Sequence, residues 1–236
     1  MATVSKTPRT PRKVSDSVQL MRNERAARTR DQLMVSAARV VGEHGYRDAS
    51  IQRITAAAGM AQGTFYLYFE SRQALFDELL PHFGLHMLER VRECAHGAEG
   101  FFEVEEIGVR AVFAYLFENP WFWRVLNEAE VEAPSAWARH HFQVKDRYLK
   151  FLKRAYAEGE LSSYAEEELG TLVYLLIAAR DYLYIRHLSN PKDDKAIPDS
   201  VIKTYIQFLR HGLGPRDAGL TAVPVRPSTR SKLQIS

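Results

Sequence analysis

Apolar residues recur at helical spacing along most of the chain, and no stretch shows the strict alternation of a β-strand. The first apolar segment is predicted to be a helix from Thr29, a candidate N-cap, to His44, with Gly45 closing it. Five later helices are predicted at about 103–117, 120–130, 135–158, 163–188 and 198–212. Ser163 and Glu166 form a candidate capping box at the start of the fourth of these. The pattern predicts an all-α fold.

Two short apolar segments separated by a glycine follow the first helix. Ser50 is a candidate N-cap for the first segment, and Gly59 ends it because glycine tolerates the left-handed conformation that reverses a chain. The second segment is predicted to be a helix from Gln62 to Phe69, with Phe65 and Phe69 facing inward. Two such helices joined by a short turn form a helix-turn-helix.

The outward residues of the second segment are amides and hydroxyls of short to medium reach. Side chains of this kind suit the major groove of DNA, where amides read base edges and hydroxyls hold phosphates. A small helical hairpin without a ligand is the alternative, but it would not require this outward polar set. We expect DNA contacts from Arg28, Arg30, Ser50, Gln52, Arg53, Gln62, Gly63, Thr64, Tyr66, Leu67, Tyr68 and Arg72.

The stretch from Arg30 to Leu75 resembles the TetR/AcrR family of bacterial transcriptional repressors. The motifs that carry the resemblance read AAAG at 56–59, GTFYLYF at 63–69 and SRQAL at 71–75. The chain departs from the family at Ala61, where a capping Ser or Thr is usual, at Thr55, where Ala is usual, and at Leu67, a position that is often polar. The resemblance implies a dimeric repressor with an N-terminal three-helix helix-turn-helix domain and a C-terminal helical effector-binding and dimerisation domain.

A longer helix is predicted to start after the Ser71 cap and to carry the pattern of Leu75 and Leu79 onward. Pro81 and Gly84 interrupt this pattern. Proline removes one backbone hydrogen bond, so the helix either stops near Leu80 or bends there. The periodicity resumes after the interruption, which favours the bend.

Positive charge is confined to the two ends of the chain. Residues 1–30 hold eight basic and two acidic residues, residues 221–236 hold three basic ones, and the 236-residue chain has a net charge of +3, so the part between them is acidic. A basic segment rich in Pro, Ser and Thr is typical of a flexible arm with a polyanionic partner, although a solubilising tail is the alternative for residues 1–20. For Arg22 to Arg30 we expect phosphate contact or insertion into the minor groove.

The last two helices are apolar on more than one face, most clearly in the segment 171–188. In the family these helices form the dimer interface, so a homodimer is implied; burial inside a monomer is the alternative. The family binds effectors in the region that is rich in aromatic residues here, which implies a small hydrophobic or aromatic effector. The candidate ligand residues are Phe113, Phe117, Trp121, Trp123, Trp137, His141, Arg180 and Tyr184. Arg180 and Asp181 are alternatively expected to pair across the dimer axis.

The domain organisation predicted from these features has four parts. Residues 1–24 form a flexible basic arm, 25–75 the DNA-binding domain, 76–215 the ligand-binding and dimerisation domain, and 216–236 a disordered tail. The single cysteine and the lack of a long apolar run indicate a cytoplasmic protein without a membrane partner.

The sequence contains only weak candidates for catalytic or metal-binding residues. His82 and His86 have the i, i+4 spacing of zinc ligands, but the His-Glu-x-x-His pattern is absent. We therefore expect no catalytic residues, no metal and no cofactor. The alternatives to a ligand-controlled repressor are a DNA-binding protein controlled by a protein partner and a helical metal-dependent hydrolase that uses the His82 cluster.

Overall fold

The computed structural model describes residues 16–188 and 197–213, and these ranges contain helices and no strand, as predicted. No helix within them is both long enough and apolar enough to span a membrane. Residues 1–15 of the predicted arm and the predicted tail lie outside the described residues. The helices are α1 (Asp16–His44), α2 (Ile51–Ala57), α3 (Gln62–Phe65), α4 (Arg72–Cys94), α5 (Phe101–Glu118), α6 (Trp121–Glu132), α7 (Pro134–Ala157), α8 (Leu169–Leu188) and α9 (Asp199–Leu213).

The chain divides into two compact units. The first comprises residues 1–96 and 110–145, and the second comprises residues 97–109 and 146–236. The first unit therefore holds α1 to α4 together with α6, and the second holds α8 and α9. The domain boundary that the sequence predicts after residue 75 lies inside the first unit.

The five later helices are confirmed, with one correction at the start of α8. The predicted helix 163–188 begins instead as a 3-10 helix, Glu166–Glu168, which continues into α8. Ala165 rather than Ser163 occupies the N-cap position, and its backbone N–H donates to the Glu168 carboxylate at 2.8 Å. The predicted capping box is therefore wrong, because the acidic run supplies its own acceptor two residues further along.

The predicted start of the first helix is also wrong, since α1 begins at Asp16 and not at Thr29. The Thr29 hydroxyl donates back to the Arg25 carbonyl oxygen at 2.9 Å, as a threonine inside a helix does. The residues upstream of Thr29 are mostly Arg, Ala, Glu, Gln, Met and Leu, which have high helix propensity. The helix therefore extends through residues 16–24, which are predicted from the sequence to belong to the flexible arm.

The core of the helix-turn-helix follows the predicted pattern. On α1 the side chains of Leu33, Ala37 and Val41 are fully buried. The Ser50 hydroxyl accepts from the Arg53 backbone N–H at 3.2 Å and caps α2. Gly45 and Gly59 have φ angles of +83° and +66°, so both turns use the left-handed conformation that glycine permits.

Helix α3 is shorter than predicted. It ends at Phe65, and residues 66–68 form a turn, so the predicted helix Gln62–Phe69 is wrong in its second half. The N–H groups of Leu67 and Tyr68 bond three residues back, to Thr64 and Phe65, as in a 3-10 turn. Consecutive aromatic residues favour helix weakly, and this tighter winding still buries both Phe65 and Phe69.

Helix α4 runs without interruption through Pro81, which excludes a stop at Leu80. Because proline has no N–H, the Asp77 carbonyl oxygen one turn earlier lacks its usual backbone donor. The guanidinium of Arg139 on α7 donates to this oxygen instead. A side chain from a distant helix thus satisfies the carbonyl group that Pro81 leaves open.

A buried histidine packs on α4 just beyond this proline. A Cβ atom on Gly84 would lie 2.2 Å from the His140 Nδ1 atom, so glycine is required for the ring to fit. His140 is 4% exposed and its Nδ1 has no hydrogen-bond partner among the described residues. Burial, with a smaller contribution from His141, lowers the pKa of His140 to about 4.

The stability of the protein is therefore expected to fall as the pH drops from about 6.5 to about 4. In this window the unfolded chain protonates His140 while the folded state keeps it neutral, so protons favour unfolding by up to about 3 kcal/mol. Chemical denaturation at several pH values measures this slope, and His140→Leu should reduce it. His96→Leu, at an exposed position, is the control and should leave the slope unchanged. Equal slopes in the parent and the His140 variant would contradict the assignment.

The second unit contains a buried ion pair. Glu105 on α5 is 1% exposed, and Arg180 on α8 donates to its Oε1 atom at 2.6 Å. The Tyr148 hydroxyl donates to the same carboxylate at 2.8 Å and the Tyr205 hydroxyl at 2.6 Å. Burial raises the pKa of both phenols, so both stay protonated and act as donors. Four helices, α5, α7, α8 and α9, meet at one carboxylate.

Candidate nucleic-acid interface

The residues of α3 and of the turn after it present a mixed polar and apolar surface. Leu67 is 78% exposed and Tyr66 is 55% exposed, while Gln62 and Gly63 are also exposed. Thr64 and Tyr68 are half-buried. Phe65 and Phe69 anchor this segment from below, with ring centroids 5.6 Å apart. The sequence-predicted reading residues are therefore displayed together on one short, anchored segment.

The predicted contacts on α2 flank this surface. Gln52 and Arg53 are exposed, and Ser50 is half-buried because its oxygen caps the helix. Gln32 on α1 donates to the Ala58 carbonyl oxygen at 2.8 Å and so fixes α1 against the end of α2. Arg28 lies one turn before Gln32 and is exposed.

Two of the predicted phosphate ligands also hold the domain together. Arg30 forms an ion pair with Glu78 on α4 and lies over the Phe69 ring, 4.8 Å from its centroid. Arg72 donates to the Arg47 carbonyl oxygen at 3.1 Å and remains exposed. Arg72 thus keeps donors available for a phosphate, whereas the charge of Arg30 is compensated by Glu78.

Helix α6 supports the corner between α1 and α2. Arg124 donates to the carbonyl oxygen of Glu43 at 2.9 Å, where a cation stabilises the carboxyl end of α1. Glu128 accepts from Arg124 at 2.6 Å and from the Tyr46 backbone N–H at 2.9 Å. Burial acts to raise the pKa of Glu128, but these two bonds outweigh it and lower the pKa. The carboxylate therefore stays charged and holds the corner.

The same helix approaches α1 at van der Waals distance. A Cβ atom on Gly42 would lie 2.2 Å from the Trp121 Cβ atom, so only glycine permits this contact. The Trp121 ring packs edge-on against Phe83 of α4, with ring centroids 4.6 Å apart. Trp121, a predicted ligand residue, thus forms part of the packing between α1, α4 and α6.

A second set of bonds links the end of α6 and the start of α7 to α4 and to the loop between α1 and α2. The Arg47 guanidinium pairs with Glu132 at 3.0 Å, and Gln73 donates to the Glu132 carbonyl oxygen at 3.2 Å. Ser135 donates to the Asp77 carboxylate at 2.9 Å. Sequence reasoning missed these positioning residues, together with Arg124 and Arg139. The i, i+4 pair of Arg124 and Glu128 is visible in the sequence, but partners about 80 residues away are not.

The other predicted ligand residues of the first unit lie on α5 to α7. Phe113 is buried, and Phe117, Trp123 and Trp137 are half-buried. His141 is exposed, and its ring stacks on Trp137 with centroids 4.0 Å apart.

The remaining two predicted ligand residues belong to the second unit. Arg180 pairs with Glu105 of its own chain, and Tyr184 is 1% exposed. The expected pairing of Arg180 across a dimer axis is thus replaced by a partner within the chain, which compensates its buried charge. A surface cavity in this unit is lined by Gly100, Phe101, Phe151, Arg154 and Glu160 among others, and none of the eight predicted ligand residues lines it.

The histidines of α4 are engaged with each other and with α1. His82 contacts Asp31 at 3.2 Å, and the His82 and His86 rings lie 4.3 Å apart. Burial lowers the pKa of His82, with His86 as the next contribution. Within residues 16–188 and 197–213, no group of three or more His, Cys, Asp or Glu side chains is arranged to hold a metal ion.

Comparison with known sequences gives matches over the helix-turn-helix region. The family described as bacterial regulatory proteins, tetR family, matches residues 33–79. An uncharacterised HTH-type transcriptional regulator of Bacillus subtilis, YvdT, is 37% identical over 83 residues, which is 35% of this chain and 43% of the relative. The fatty acid metabolism regulator protein of the same organism is 35% identical over 72 residues, or 29% of this chain and 37% of the relative. The alignments thus span about two fifths of the length of these relatives.

Solved structures share the fold over more of the chain. A TetR family regulator from Marinobacter aquaeolei has a TM-score of 0.66 at 18% identity and covers 82% of this chain and 100% of its own. FadR from Bacillus subtilis in complex with stearoyl-CoA also has a TM-score of 0.66 at 18% identity, and covers 75% and 96%. Residues 33–79 therefore carry the helix-turn-helix of the tetR family of bacterial regulatory proteins, and the fold of the chain is that of solved TetR family regulators.

Proposed function

We propose that this protein is a DNA-binding transcriptional repressor that binds a palindromic operator as a homodimer and is released by a small hydrophobic effector. It acts as a regulator and not as an enzyme. Residues 25–75 bind DNA, and residues 76–215 dimerise and bind the effector. The observation that carries the proposal is the exposed segment from Gln62 to Tyr68, anchored by two buried phenylalanines beside a helix-turn-helix turn.

The exposed segment has the chemistry needed to read bases. The Gln62 amide can pair with an adenine edge, and the Leu67 side chain suits a thymine methyl group. The exposed Arg53 and Arg72 supply charge for the phosphates on either side. The bonds from α6 and α4 hold the corner between α1 and α2 in place before DNA arrives.

Variants of the reading segment test this assignment. Gln62→Ala and Tyr66→Ala are each expected to reduce the preference for operator over random DNA by about 1–3 kcal/mol, or roughly five- to 150-fold. Arg72→Ala should instead weaken binding to both DNAs by a similar factor. The operator is first selected from a random duplex pool with the parent protein, and fluorescence anisotropy then gives both affinities.

Arg92→Ala is the matched control, since Arg92 is exposed in the last turn of α4 and is not a predicted DNA contact. It should bind both duplexes as the parent does. Equal losses on operator and random DNA for Gln62→Ala and Tyr66→Ala would contradict base reading by this segment. Failure of the parent protein to enrich any sequence would overturn the proposed function itself.

The dimer is supported by an apolar stripe on α8. Tyr174, Leu175, Ala178, Tyr182 and Ile185 fall within about a third of the helix circumference, and all are exposed. Leu172, Val173, Leu176 and Tyr184 lie on the opposite side and are buried. Phe208 of α9 is 69% exposed as well. A helix that is apolar on both sides needs a second partner, and a second copy of the chain supplies it.

The effector class is supported by a curated relative and a solved structure whose names concern fatty acids. The curated relative is the fatty acid metabolism regulator protein of Bacillus subtilis, and the solved structure is FadR from Bacillus subtilis in complex with stearoyl-CoA. A long acyl chain is a hydrophobic ligand of the kind that an aromatic helical region accommodates. Stearoyl-CoA added to the DNA complex should lower the affinity for the operator, whereas CoA alone should leave it unchanged. An unchanged operator affinity with stearoyl-CoA would exclude this ligand class.

A further inference from the structure

The amino-terminal part of α1 extends beyond the rest of the helix-turn-helix domain. Every residue from Val18 to Arg28 is exposed, and full burial on this helix starts only at Leu33. At a rise of about 1.5 Å per residue, residues 16–28 add about 20 Å of helix. This helical segment does not pack against the rest of the described structure. Formation of the protein core therefore does not explain why it is present.

The basic residues of this extension share one side of the helix. Arg22, Arg25 and Arg28 are spaced by three residues, so they fall within about 120° of the helix circumference. Gln32, one turn after Arg28, lies in the same sector and bonds the Ala58 carbonyl oxygen just before the helix-turn-helix turn. The arginine side of the extension is therefore the side that runs past the turn leading into α3.

The charge of this side is not compensated within the described structure. None of the three arginine side chains forms an ion pair with a side chain in 18–188 or 197–213. Glu24 is the single acidic residue between Val18 and Arg28. The exposed apolar side chains do not form a stripe, because Leu20 lies about 100° from Met21 and further from Val18. A polyanion therefore fits this surface better than an apolar partner or a membrane does.

For Arg22 to Arg30 the sequence leaves two DNA contacts open, phosphate contact and insertion into the minor groove. The helical conformation favours the first. A helix with its side chains is about 10–12 Å across, whereas the minor groove of B-DNA is only about 6 Å wide. An α-helical segment cannot insert there without deforming the duplex. Guanidinium groups on one side of a helix can instead reach successive phosphates of one strand.

We propose that residues 16–28 form a second DNA-binding element, in which Arg22, Arg25 and Arg28 bind the phosphate backbone beside the bases that the α3 segment reads. This inference rests on the proposed DNA-binding function and extends it. With about 3.4 Å per base pair, 20 Å of helix covers up to about six base pairs outside each half-site. The operator that the protein requires is then longer than the palindrome that it reads.

The test compares the variant R22A/R25A/R28A with the parent on the selected operator and on a random duplex. Each phosphate contact contributes about 0.9 to the slope of log affinity against log salt, so the slope should become shallower by up to about 2.7 per protomer. This change in the salt slope should appear on both the operator and the random duplex, because phosphate contacts do not depend on the base sequence. Alanine preserves helix propensity, and circular dichroism checks that the helix is retained.

The control R92A/R147A/R186A removes the same charge from exposed positions on α4, α7 and α8 and should leave the slope unchanged. In a second measurement, trimming six base pairs from each end of the operator duplex should weaken the parent and not R22A/R25A/R28A. An unchanged salt slope for R22A/R25A/R28A would overturn the proposal, as would an equal change of slope in the control. The proposal would also fail if the arginines bound anionic phospholipid vesicles while R22A/R25A/R28A bound DNA as the parent does. A parent protein that binds no duplex would instead overturn the proposed function.

Discussion

Glu105→Ala is expected to destabilise the protein by about 3–5 kcal/mol, because it removes one partner of a buried ion pair and leaves the other charged. Arg180 would lose its counter-ion in a nearly dry site, and the hydroxyls of Tyr148 and Tyr205 would lose their acceptor. For a chain of this size the midpoint of thermal unfolding should drop by roughly 10 °C. Denaturant titration and thermal melts followed by circular dichroism measure both quantities.

Two further variants separate the ion pair from a general effect of removing a glutamate. Glu118→Ala breaks the pair with Arg90, which is exposed, and should change stability little. The double variant Glu105→Met, Arg180→Met should recover most of the loss, since it removes the uncompensated charge along with its partner. If the Glu105→Ala variant is as stable as the Glu118→Ala variant, the buried ion pair makes no net contribution to the free energy of unfolding.

Leu175→Glu combined with Tyr182→Glu is expected to convert the proposed dimer to a monomer. Both side chains lie on the exposed stripe of α8, at 60% and 77% exposure, so the monomer should tolerate the charges while the interface should not. Sedimentation at micromolar concentration measures the change in mass. Because a monomer engages one half-site at a time, affinity for the palindrome should fall by about a hundred- to ten-thousandfold.

Phe142→Glu is the matched control for this pair. Phe142 is also a large exposed apolar residue, at 70%, but it belongs to α7 and is not part of the α8 stripe. Its variant should remain dimeric and bind the palindrome as the parent does. A Leu175→Glu, Tyr182→Glu protein that still sediments as a dimer would place the interface elsewhere.

The elements that sequence predicts well here are those defined by neighbouring residues. Ser50 caps α2 through a backbone N–H three residues on, and Gly45 and Gly59 need no partner beyond their own turns. The inward and outward faces of α1 follow from periodicity alone. For the same reason the exposed polar residues of the reading segment could be chosen before the fold was known.

The errors arise where one local preference competes with another or with packing. Threonine at position 29 resembles a cap, but good helix formers precede it and the helix continues through it. The end of α3 reflects the burial of Phe65 and Phe69 in a tight turn together with the weak helix preference of the aromatic residues around it. Likewise, the sequence indicates that Arg180 requires a partner but not that Glu105, 75 residues earlier, provides it.

The support of the α1 corner by α6 has a consequence for synthesis on the ribosome. Glu43 and Tyr46 find their partners in Arg124 and Glu128, about 80 residues later in the chain. At about 5–20 residues per second, this part of the chain follows several seconds after the helix-turn-helix has been made. During that interval the corner lacks the bonds that fix it. The corner between α1 and α2 is therefore expected to become fixed only after α6 has been synthesised and has docked.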